Sequence, residues 1–128
     1  MRVNIEVSIG ELIDKITILA LKLENIVEKN KLVNVNKEYR VLENTYKELL
    51  ISYRELENSY QKLKNINQEI WFLEDHIRIL IGKKDFNDDY IKTANNIHRS
   101  NDRRFEIKNE INKIFNSNLL EQKSYPKY

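Results

Sequence analysis

No cysteine occurs in the 128 residues, which excludes disulfides, thiolate chemistry and cysteine-ligated zinc. Proline appears once and glycine twice, too few for a turn-rich β fold. No uninterrupted apolar run reaches membrane-spanning length, and residues 1–9 hold no apolar stretch of signal-peptide type. No membrane association is expected, and the cytoplasm is the expected compartment. An excess of one charge is also lacking. Twenty-two basic side chains face 20 acidic ones, so bulk attraction to nucleic acid or anionic lipid is absent. Nucleic-acid binding through Lys83, Lys84, Arg99, Arg103 and Arg104 therefore ranks low.

What the chain does have is helical periodicity. Hydrophobic residues make up 41%, enough for a core, and the length suits one domain. Asparagine, isoleucine and lysine are abundant at 17, 17 and 15, all read from AT-rich codons, so many single Asn and Lys positions carry little meaning. Residues 1–7 alternate Val3, Ile5 and Val7 with Arg2, Asn4 and Glu6. This period of two suits an extended segment, lying along the bundle or pairing with its own copy.

Ser8 and Glu11 have capping-box spacing. Behind them Ile9, Leu12, Ile13, Ile16, Leu19, Ala20, Leu23, Ile26 and Val27 form a helical stripe that should fade near Asn30. Glu11, Asp14 and Lys15 lie on its polar side. Next, Val35, Tyr39, Leu42, Tyr46, Leu49, Tyr53, Leu56, Tyr60 and Leu63 alternate steps of four and three, a heptad seam. Four core tyrosines would crowd a tight parallel dimer but suit an antiparallel bundle with each hydroxyl at a wet rim. Residues 35–82 read as one long helix or as a helical hairpin broken near Ile51-Ser52. Gly82 is the expected cap of this segment, and Asn87 opens the last helix, with Phe86 and Ile91 placed as a hydrophobic staple. The stripe that follows is polar from His98 to Arg104. The expected fold is all-α: an antiparallel bundle of three to four helices over residues 8–117, with a frayed tail over 118–128.

Two polar groups are candidate sites. Asn67, Trp71, Glu74, Asp75 and Arg78 gather on one side of the third segment, and a tryptophan among polar neighbours off the core stripe is unusual. If the last helix runs back from residues 83–87, Trp71 lies level with Arg99 and brings Asn101, Asp102, Arg103 and Arg104 within reach. Such a layer is either an anion or sugar-phosphate pocket with arginine donors or, with slightly more weight, a salt-bridge network fixing register. Glu11, Asp14 and Lys15 form the second group, which a simple antiparallel ladder sets about 30 Å from Glu74 and leaves as a solvated helix face.

Residues 8–19, Ser-Ile-Gly-Glu-Leu-Ile-Asp-Lys-Ile-Thr-Ile-Leu, resemble the N-terminal signature of an uncharacterised family of bacteria and phages. Ile70-Trp71 with Glu74-Asp75-His76-Ile77-Arg78 resembles its central motif, and Asn101-Asp102-Arg103-Arg104 with Lys108 and Asn112 its last. The resemblance spans nearly the whole chain, in order. It departs at Ile81-Gly82, where an acidic residue is usual, and at Asn95, where a basic one is. It implies a domain of unknown function, similar in bacteria to proteins encoded near tetratricopeptide-repeat and sugar-transfer genes.

The sequence therefore points first to a non-catalytic helical interaction and assembly module. It is expected to self-associate, to have a protein partner, and to hold a polar ligand pocket around Trp71, with no cofactor and no metal. The alternative is a metal-dependent all-α nucleotide or sugar-phosphate hydrolase, since Glu11 and Asp14 have ExxD spacing; the companion ExxE helix is missing. A chorismate-mutase-like enzyme ranks last, because the first helix supplies no arginine for a dicarboxylate.

Overall fold

A computed structural model describes residues 1–115, 124, 126 and 127. Among these residues the fold is all-α, with helices α1 (Ile9–Asn25), α2 (Lys29–Ser52), α3 (Leu56–Gly82) and α4 (Asp88–Ile114), and no strand. None is long and apolar enough to cross a membrane. The expected frayed tail falls largely outside the described residues.

The shortest helix is the central one. Nine of the 17 residues of α1 are buried, against a single residue, Tyr46, in α2. Helix α1 packs on all three others, while α2 and α3 touch each other little. Its start shows half of the capping box: the Ser8 hydroxyl accepts from the Glu11 amide at 3.1 Å, while the Glu11 carboxylate goes to Lys108. Its end comes earlier than the stripe implies. Asn25 donates its side-chain amide to the Leu21 carbonyl, and Ile26 turns extended. Residues 30–34, where the first helix was expected to fade, belong to α2. The Tyr/Leu seam begins one step earlier, at half-buried Leu32, and that apolar row outweighs the loop-like asparagines.

The heptad seam divides at residues 53–55 without glycine or proline, so the hairpin alternative holds. Leu56 and Leu63 are fully buried and join Leu12, Ile13, Ile16, Tyr46, Ile66 and Ile111 in one core. Tyr46 and Tyr60 stack at 5.3 Å between ring centres. The seam thus clasps α1 within one chain. At the other turn the cap is not Gly82 itself: Lys84 takes the left-handed conformation (φ 57°). The Asp85 and Lys84 amides return to the Leu80 and Ile81 carbonyls as in a Schellman motif. Asn87 does cap α4, accepting from the Tyr90 amide, but Phe86 packs edge-on against Tyr90, leaving Ile91 exposed. Helices α3 and α4 run antiparallel, tied by His76 to Asp89 at 2.8 Å and by Ser100 to Glu69 at 3.1 Å.

Burial pushes the phenols of Tyr39 and Tyr46 up to about 12, with the adjacent Tyr60 adding to each shift, and burial raises Tyr60 as well. A raised pKa keeps the folded phenol neutral after the unfolded one ionises, near 10. Stability is therefore whole below pH 10 and falls as pH climbs towards 12. Alkaline ultraviolet titration should show these tyrosines ionising late in the folded protein and near 10 in urea. Ile13 is fully buried and Ile51 is 82% exposed. In urea unfolding, Ile13→Ala should cost about 2–4 kcal/mol and Ile51→Ala less than about 0.5 kcal/mol.

Candidate functional site

The polar residues of α1 meet those of α3 and α4 in one layer. Asp14 is 1% exposed although it carries a carboxylate, so its oxygens must find partners. Arg104 grips it with both ends of the guanidinium fork, Nε to Oδ1 at 3.0 Å and Nη2 to Oδ2 at 2.7 Å. The Asn67 amide donates to Oδ1 at 2.9 Å and also to the Thr17 hydroxyl at 3.0 Å, and that hydroxyl donates to the Asp14 carbonyl. Lys108, also buried, places Nζ 2.7 Å from Glu11 and 3.7 Å from Asp14. Two carboxylates thus stand against two cations.

One turn earlier, the Gly10 amide donates to Asn112 Oδ1 at 2.7 Å. A Cβ on Gly10 would sit 2.6 Å from the Lys108 carbonyl oxygen and 2.8 Å from Asn112 Oδ1. Glycine is required here because the α1 backbone approaches both the backbone and a side chain of α4, not because of an unusual φ. The buried Asn112 Nδ2 has no hydrogen-bond partner among the described residues; its Oδ1 is held by Gly10.

The separation of about 30 Å between the two polar groups is overturned. Asn67, from the Trp71 group, bonds directly to Asp14, from the N-terminal one. The simple ladder failed because α1 lies at the centre of the bundle, against α3 and α4 as well as α2. Of that second group, Asp14 is buried and Glu11 half-buried, so they are no solvated face, while Lys15 remains exposed.

Beside this layer opens a cleft of about 380 Å³ between α1 and α3. Ile18, Leu21, Ile70 and Trp71 form its apolar wall, and Asn67, Glu74, Asp75, Arg78 and Arg104 supply polar groups. All five residues grouped on the third segment by helical spacing therefore line one cavity. Arg78 lies 3.8 Å from Glu74, an exposed pair worth little in stability. The expected level of Trp71 with Arg99 agrees with Glu69 meeting Ser100 and Arg103, the latter at 3.6 Å. Asn101 and Asp102 are half-buried on α4 but do not line the cleft. Among the described residues no group of three or more histidines and acids is arranged to hold a metal ion.

Thr17, Glu69 and Ser100 belong to the polar contacts between helices and were not singled out by spacing. The readable signal was the four-residue repeat Ser100, Arg104, Lys108, Asn112, a polar stripe where a core stripe belongs.

The model of a family of unknown function (DUF6165) matches residues 1–127. No curated protein and no solved structure matches the chain. Asp14→Asn leaves buried Lys108 and half-buried Arg104 short of a charge and should cost about 3–5 kcal/mol in urea unfolding. Gly10→Ala, favourable by about 1 kcal/mol on helix propensity alone, should instead destabilise by about 1–3 kcal/mol through overpacking.

Proposed function

The chain belongs to this family of unknown function, and we propose that it serves as a non-catalytic, self-associating helical module that offers the Trp71 cleft to a ligand. One observation carries the reading. The polar residues of the first and last motifs are bound to one another inside the bundle, with both oxygens of Asp14 on Arg104 and Glu11 on Lys108, and Asn67 of α3 joins them. A general base or a metal ligand has to reach a substrate, and these groups reach each other. Their combined effect is to fix α1 against α3 and α4, which holds the wall of the cleft in place.

The hydrolase alternative loses support on the same ground. Arg104 and Lys108 occupy the side of Asp14 and Glu11 that a magnesium ion would have to share with phosphate. Support for self-association has also moved. Most of the Tyr/Leu seam is used within the chain, packed on the core around α1. Open apolar surface includes Phe72, Ile79, Phe86 and Ile91 on the α3–α4 hairpin, and Val3, Ile5, Ile51 and Ile114 at the opposite end, each more than half exposed.

Light scattering at tens of micromolar should give a mass above the 15.5 kDa of one chain, and a strict monomer throughout would remove the assembly half of the proposal. Incubation with magnesium and a panel of nucleoside triphosphates and sugar phosphates should release no phosphate. Turnover lost on Glu11→Gln would reinstate the enzyme.

A further inference from the structure

Residues 1–7 lie outside the helices and are exposed throughout, with Val3 at 74% and Ile5 at 73%. Among the described residues no hydrogen bond involves them. Valine and isoleucine at alternate positions, with every backbone donor and acceptor unpaired, have the pattern of a strand that lacks a neighbour.

We propose that residues 1–7 pair with the same segment of a second copy as an antiparallel two-stranded ribbon whose twofold axis passes at Asn4. This rests on the self-association reading above and names its contact. The charges select the register. With Asn4 opposite itself, Arg2 of each copy faces Glu6 of the other on one side of the ribbon. On the other side Val3 faces Ile5 twice. Centring on Ile5 sets Glu6 against Asn4 and takes Arg2 to Ser8, already the buried cap of α1. A parallel, in-register pairing puts Arg2 on Arg2 and Glu6 on Glu6. No other register pairs both charges with their opposites. An isologous contact of this kind closes as a dimer and leaves neither segment with an open edge towards the other.

A ribbon of two strands is marginal alone and needs apolar cover. The end of the bundle from which it emerges supplies that. Gly10 bonds Asn112, three residues from Phe115, and Phe115 meets Tyr53 edge-on. Ile51, Tyr53 and Ile114 are exposed at that same end.

The test uses the full chain. Arg2→Glu and Glu6→Arg each place like charges opposite at two symmetric points, and each should raise the dimer dissociation constant about tenfold or more in sedimentation equilibrium. The double variant R2E/E6R should return to the wild-type value, and an equimolar mixture of the single variants should form heterodimers as stable as wild type. The introduced thiol of Asn4→Cys, the only one in the chain, should cross-link to its own copy under mild oxidation, whereas Val7→Cys should not. Circular dichroism should be unchanged in all variants, because these residues are outside the bundle. A wild-type dimer indifferent to all the charge changes overturns the ribbon while leaving assembly intact. A wild-type monomer overturns both.

Discussion

A carboxylate with 1% exposure and a guanidinium locked on it set the terms for this bundle. Apolar packing is non-directional and would let α1 slide or rotate between its neighbours. The Asp14–Arg104 fork does not, because both of its bonds fail if either helix shifts by part of a turn. Asn67 adds α3 to the same acceptor, and Lys108 adds a second cation that Glu11 balances. The net worth of such a pair in stability is small once desolvation is counted. Its effect lies in choosing one arrangement among several that the apolar stripes alone would tolerate.

This is also why the fold was more legible than the site. Helical spacing alone was enough to locate the Tyr/Leu seam, the Ser8 and Asn87 caps, and the group from Asn67 to Arg78, since each depends on residues near in sequence. The break at residues 53–55 was harder, because neither glycine nor proline marks it. The early stop of α1 turned on an Asn25 side-chain bond, one asparagine among 17.

The meeting of Asp14 with Asn67 was illegible for a deeper reason. Sequence periodicity says which face of a helix is apolar but not how many neighbours share that helix. The amphipathic pattern of α1 implies a wet side and puts Asp14 on it. In the bundle α1 has neighbours around most of its circumference, so its polar side is an interior one, matched by the polar stripe of α4. The two anomalies, acids on a helix otherwise rich in isoleucine and leucine and basic residues in the middle of a core stripe, are halves of one contact. Gly10 is a third trace of it, a small residue where α1 and α4 come closest.

The central position of α1 also bears on how the protein is made. Its ion-pair partner Arg104 is 90 residues further along, and Asn112 is 102 residues beyond Gly10. At about 5–20 residues per second, translation delivers α4 roughly 5–20 seconds after α1. Throughout that interval the helix destined for the interior has only α2 and then α3 to shelter it, with its acid exposed. The nascent chain is held out of its final form until its last helix arrives.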